Sequence, residues 1–250
     1  MMLIILFTSV ILAGFISEIF KRRIEKLKEF IISFSVSIVI TLICIHILPE
    51  IFSENNIEIG YYILAGFLVQ ILLELLSKGI EHGHIHVHGK ITNHQLLVIF
   101  IGLSIHSFIE GLPVNTIEHL HHNHNLHNNN IEYINNFSWI YLLMILIHKL
   151  PIAAVLIFFL NSYGLNKVKK YGLLFIFAAT APLGAILGEE LLKFSFFNDW
   201  SIKFLAISSG MLLHITTLLI FEDHHHSNKK IKNLITISIG IITGSLLFSF

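Results

Sequence analysis

Long apolar runs recur along this chain, and they leave few folds open to it. They cover roughly residues 2–20, 30–51, 59–77, 94–113, 138–161, 171–192, 203–221 and 231–250. About 20 mainly apolar residues are enough for a helix to cross some 30 Å of hydrocarbon. In lipid every backbone N–H and C=O must be satisfied within the protein, so such runs become helices rather than open strands. Apolar residues make up 54% of the chain and charged residues only 13%, with a mean hydropathy of +0.77. A water-soluble domain of this length would not tolerate that balance. The expected architecture is an all-α polytopic membrane protein of eight transmembrane helices, a single transmembrane domain over residues 1–250 joined by short loops.

The charges around the first run speak against a cleaved leader. Lys21, Arg22 and Arg23 follow it instead of preceding it, and no small-residue cleavage site is evident. Loop charges then set the orientation. Loops one, three, five and seven carry Lys21, Arg22, Arg23, Lys26, Lys28, Lys78, Lys90, Lys167, Lys169, Lys170, Lys229, Lys230 and Lys232; the other loops carry only Lys193 and Lys203. Basic loops stay cytoplasmic, which places both termini outside the cytoplasm, in a multi-pass protein of the plasma (cell inner) membrane. The formal net charge is zero, and no soluble basic face is available for nucleic acid. The single cysteine, Cys44, lies within a span and says nothing about redox compartment.

Ionisable side chains inside the spans mark the chemistry, because each costs at least about 2.5–3.5 kcal/mol on insertion scales. In span four, HQLLVIFIGLSIHSFIEGLP (94–113), His106 and Glu110 stand four residues apart and share a helix face, with Ser107 beside them. Gly102 and Gly111 allow a neighbouring helix to come close. Span five, WIYLLMILIHKLPIAAVLIFFL (139–160), carries His148 and Lys149, and Pro151 is expected to kink it, freeing a backbone carbonyl and opening space where helices line a cavity. Two imidazoles and a carboxylate, His106, His148 and Glu110, suit a borderline divalent metal such as Zn²⁺. Lys149 repels metal while charged; it either pairs with Glu110 in the place of a second cation or loses its proton on burial. His46 and Glu50, in IHILPEIF (45–52), fall at the outer end of span two and suit an entrance. Glu189, Glu190, Glu74 and His214 are weaker signals of the same kind.

Histidine is also unusually abundant, with 17 residues against 16 Lys and Arg together. Three tracts hold most of them: HGHIHVH (82–88) in the loop over 82–94, HLHHNHNLH (119–127), and HHH (224–226). Dense neutral imidazole reads as metal capture, with His82, His84, His86, His88, His119, His121, His122 and His124 as the candidate groups.

These motifs resemble the ZIP (Zrt-, Irt-like protein) family of divalent metal transporters, nearly throughout and in order. HILPE (46–50) resembles the second-helix HLLPE pattern, and a His-rich loop follows the third helix. HSFIEG (106–111) matches the fourth-helix H-[SN]-x-x-[ED]-G signature, HK (148–149) the fifth-helix HK variant, and PLGAILG (182–188) is similar to the sixth-helix P-x-G-x-x-x-G motif. The resemblance implies an eight-helix ZIP-like bundle with a metal path between helices four and five, His106, Glu110, His148 and Ser107 as metal-site positions, and Lys149 as the substitute for a second cation. Departures accompany it. Ile152 and Ala153 stand where many members carry His and Glu, Ala181 where some carry Glu, and 210–223 lacks the family's usual acidic residue.

The expected function is transport of Zn²⁺, or of Fe²⁺, Mn²⁺ or Cd²⁺, toward the cytoplasm. The metal is cargo, no prosthetic group is expected, and the chain is not expected to be an enzyme. Partners are then divalent ions and the lipid bilayer, with a homodimer left open. Two other classes compete. An intramembrane zinc hydrolase would use His106, His148 and His214 as ligands, although the stretch from His148 reads HKLPI and offers no HExxH. A non-transporting histidine-rich sensor would bind metal without flux.

Overall fold

A computed structural model describes residues 1–53, 57–77, 92–117, 129–197, 199–222 and 227–247 of the chain. Its helices are α1 (Met2–Ile19), α2 (Lys21–Leu42), α3 (Leu48–Ile51), α4 (Ile59–Ser77), α5 (Asn93–Gly111), α6 (Asn129–Tyr163), α7 (Lys167–Leu192), α8 (Trp200–Glu222) and α9 (Ser227–Leu247). No strand occurs among the described residues. Spans one, three, four, five, six, seven and eight correspond to α1, α4, α5, α6, α7, α8 and α9. Span two is α2 continued through α3. Seven of these elements are long and apolar enough to cross a membrane, and Ile231–Leu247 of α9 is a shorter apolar helix.

Several boundaries differ from the sequence reading. The segment 21–29, expected as a loop, is the start of α2: Lys, Arg and Glu are good helix formers, and Lys21 pairs with Glu25 at 3.9 Å across one turn. Span six starts at Lys167 rather than 171, where Asn166 caps it by accepting from the backbone N–H of Lys169 at 2.9 Å. Span five starts at Asn129, earlier than 138. Span four ends at Gly111, before the expected 113, since Pro113 cannot donate and its ring crowds the carbonyl of Ile109. At its other end Thr92 and Gln95 form a reciprocal capping box. The tight α6–α7 connection turns on Gly164, whose φ of 83° suits glycine.

Proline also shapes span two. Pro49 has no N–H and its ring presses on the carbonyl of Ile45, and the helix widens over Ile43–Ile47 into a π-helical turn before resuming as α3. Pro151, inside α6, leaves the carbonyl of Ile147 without its helical donor. Ser35 Oγ of α2 donates to that carbonyl at 2.7 Å, so α6 runs on unbroken.

The helices pack as two sets. In one, α5 lies on α7, and α1 lies on α6 and α7; in the other, α4 lies on α8, and α2 lies on α9 and α8. Backbone-to-backbone seams hold each set together. A Cβ added to Gly111 of α5 would sit 2.1 Å from the carbonyl oxygen of Ala181 on α7, and one on Gly66 of α4 would sit 1.9 Å from that of Ile207 on α8. Such close approach replaces the hydrophobic drive that lipid does not supply. Where the sets meet, α2 on α6 and α4 on α5, side-chain hydrogen bonds cross: Ser35 to Ile147, Tyr141 Oη with Ser208 Oγ at 2.7 Å, and His106 with Gln70. Outward faces such as Leu64, Leu68, Leu72 and Leu75 of α4 stay exposed, as a lipid-facing surface requires. Trp200, Phe196, Phe197 and Tyr62 cluster with Lys203 at the start of α8, in the manner of an interfacial aromatic belt.

Candidate metal site

His106 and Glu110 share one face of α5, and His148 faces them from the middle of α6. The ligand atoms of these three side chains lie within 4.8 Å of one another, and all three residues are buried. His106 Nε2 is 2.9 Å and His148 Nε2 3.5 Å from the same carboxylate oxygen, Glu110 Oε1. The two rings meet edge to face, their centroids 5.8 Å apart. Glu110 Oε1 accepts no hydrogen bond of proper alignment from the described residues. A carboxylate oxygen and two imidazole nitrogens converging in this way are a donor set suited to zinc and its neighbours.

The other carboxylate oxygen is engaged. Lys149 Nζ donates to Glu110 Oε2 at 2.7 Å and to Ser107 Oγ at 2.8 Å. Thr180 Oγ1 of α7 donates to Ser107 Oγ at 2.7 Å. Ser107 therefore sits with the ammonium, on the far side of the carboxylate from the three converging atoms. Lys149 is 1% exposed, so it does not snorkel to an interface. Its ammonium also lies 5.9 Å from the ring centroid of Phe177.

Glu110 stands one residue before the end of α5. A carboxylate there faces the negative end of the helix dipole, which favours a cation nearby. Tyr141 Oη donates to the Glu110 carbonyl at 3.0 Å and so caps one of the last backbone acceptors of the helix. On the opposite side His106 Nδ1 meets Gln70 Oε1 of α4 at 2.7 Å. That acceptor places the proton on Nδ1 and leaves the Nε2 lone pair for the cluster.

The remaining candidates lie elsewhere. His46 belongs to the π turn and is half-buried, while Glu50 in α3 is buried; neither joins the three-ligand group. Glu189 accepts from Asn115 at 2.8 Å and Glu190 from Lys193 at 2.5 Å. Glu74 and His214, read separately in the sequence, meet each other: His214 Nε2 is 2.7 Å from Glu74 Oε2 across the α4–α8 contact. His214 thus lies outside the three-residue group that a hydrolase would need it to complete. The histidine tracts at 82–88, 119–127 and 224–226, and with them His82, His84, His86, His88, His119, His121, His122 and His124, lie outside the described residues. Sequence reasoning missed Gln70, Tyr141 and Thr180. Gln70 had a usable signal, as a lone amide in the apolar run GFLVQILLELL.

The family model for the ZIP zinc transporters matches residues 81–250, more than half of the chain. The chain belongs to the ZIP zinc transporter family. The matched part spans α5 to α9, including the whole three-ligand cluster. The HILPE stretch of span two lies before it. No curated protein matches the chain. As a ZIP family member it is a multi-pass membrane protein, and its cargo is divalent metal ions.

Proposed function

We propose that this ZIP protein carries Zn²⁺ or a similar divalent ion toward the cytoplasm through a site between α5 and α6, and that the whole chain works as one transport unit. The observation that carries the reading is the convergence of one ligand atom each from His106, Glu110 and His148 within 4.8 Å of one another in a buried part of the bundle. Three ligands replace part of an ion's water shell without the closed four-ligand cage of a structural zinc.

Charge supports passage over storage. Lys149 already neutralises Glu110, and a bound dication adds two positive charges to a buried site. The ammonium on Oε2 repels that ion, which keeps affinity low enough for release. Lys149 is thereby the tethered stand-in for a second cation, and Ser107 helps to hold it. The packing supports movement: with α5 and α6 in one helix set, sliding of that set against the other exposes the ligands first to one side and then to the other. His46 and Glu50 line the approach, His119–His127 gather ions outside, and His82–His88 receive them inside.

Zinc flux into proteoliposomes tests the reading, with His106→Ala measured in parallel. Flux lost in the variant supports it. Equal flux in both proteins places the path elsewhere, and bound zinc without flux in either supports a sensor.

A further inference from the structure

The boundary between the two helix sets runs through the site, and one bond that crosses it reaches a ligand. His106 belongs to α5 and Gln70 to α4, and both are fully buried where Nδ1 meets the amide oxygen at 2.7 Å. Two other crossing bonds among the described residues, Ser35 to Ile147 and Tyr141 with Ser208, end on a carbonyl and a hydroxyl. A fixed acceptor on the second ring nitrogen orients an imidazole and raises its basicity toward metal. Removing such a partner typically lowers metal affinity by about 10–100-fold.

We propose that Gln70 is a positioning residue that ties the ion affinity of His106 to the register of the two helix sets. The inference rests on the His106–Glu110–His148 reading and adds a release step to it. While α5 faces Gln70, the ring is held with Nε2 turned to the ion. When the set carrying α5 slides along α4, the bond parts, the ring loosens and the ion is shed. The next polar group on that face of α4 is Glu74, one turn and about 6 Å further on, already bonded to His214. That direction leads to the end of α4 from which residues 82–88 follow, and the end of α8 beyond His214 leads to His224–His226. The loosened ion is thus released beside a carboxylate and an imidazole.

The test uses the full-length protein in detergent for Zn²⁺ affinity, by competition with a fluorescent chelator, and in proteoliposomes for flux. Gln70→Leu keeps the volume and removes the acceptor. It is expected to weaken binding by about 10–100-fold and to raise KM while sparing the maximal rate. Gln70→Glu keeps an acceptor and adds charge; it is expected to hold or tighten binding and to slow the maximal rate. Wild-type affinity in Gln70→Leu overturns the proposal, as does an equal fall of both kinetic parameters in the two variants, which marks a merely structural contact. If Gln70→Leu does not fold, Gln70→Glu decides, and wild-type affinity and rate in that variant overturn the proposal. His106→Ala separates the two layers. Binding lost there but intact in Gln70→Leu removes only the role of Gln70, whereas wild-type binding in His106→Ala removes the site reading and this proposal together.

Discussion

Replacing Lys149 by methionine removes a buried positive charge while keeping most of the side-chain volume. With Nζ 2.7 Å from Glu110 Oε2 and an ion at the usual 2.0–2.2 Å from Oε1, the two cations lie about 5 Å apart. At an effective dielectric of about 20, a unit charge and a dication repel at that distance by about 6–7 kcal/mol. Two effects work against the full gain on removal. Glu110 loses a charge-assisted hydrogen bond worth about 1.5–3 kcal/mol in its orientation, and the binding site relaxes around the missing ammonium. The net expectation is at least tenfold tighter Zn²⁺ binding, about 1.4 kcal/mol, measured by chelator competition in detergent. Without metal the variant carries an unpaired buried carboxylate, a loss of about 3–5 kcal/mol. Its melting temperature should therefore fall in chelator and recover with zinc by more than the wild type gains. Transport should slow, because the ion leaves less readily. Unchanged or weaker zinc binding in Lys149→Met refutes the argument and makes Lys149 an orienting group for Glu110.

His148→Ala should abolish most zinc flux at submillimolar metal while leaving the protein folded, as followed by proteoliposome uptake and size-exclusion profiles. Glu110→Gln should abolish flux as well, with a lower melting temperature, because it leaves the buried Lys149 ammonium without its carboxylate at a cost of about 3–5 kcal/mol. Imidazoles bind metal only when neutral, so protons compete with zinc: flux should decline as external pH is lowered from about 7.5 to 5.5, and a rate that rises over that interval would contradict the ligand set. Gly111→Ala forces a Cβ to within 2.1 Å of the Ala181 carbonyl oxygen and should destabilise the α5–α7 seam by about 2 kcal/mol, seen as a lower melting temperature. Ser35→Ala leaves the Ile147 carbonyl without its donor; a smaller loss of about 1 kcal/mol is expected in the same assay.

Much of this molecule was legible before its structure. Spans of lipid-crossing length and the spacing of His106 and Glu110 are local properties, carried by hydropathy and by the 3.6-residue period. The HK pair was equally visible, and its partner Glu110 was a fair inference from charge alone. What escaped was non-local. Nothing in the sequence around Gln70 says that it faces His106, since that depends on how α4 crosses α5. The pairing of Glu74 with His214 was hidden for the same reason, although each residue was noticed. Helix ends were misjudged where charged residues continue a helix beyond the apolar run, as at Lys21, because hydropathy reports the lipid boundary and not the hydrogen bonds. Pro151 was read as a source of a freed carbonyl, and Ser35 supplies the donor from a helix that sequence reasoning had not connected to it.

The widened turn at Ile43–Ile47 works as a phase shifter. An extra residue in a helix rotates everything beyond it by about 100°. Ile43, Ile47 and Ile51 are all buried on the same side, Ile45 is exposed, and Glu50 is tucked inward at 8% exposure. Take one residue out of that turn and the terminal segment swings by the same angle, presenting the carboxylate of Glu50 to hydrocarbon and an isoleucine to the bundle. The outer end of span two therefore depends on residue count as much as on residue type. A single-codon deletion there is a far graver change than any conservative substitution.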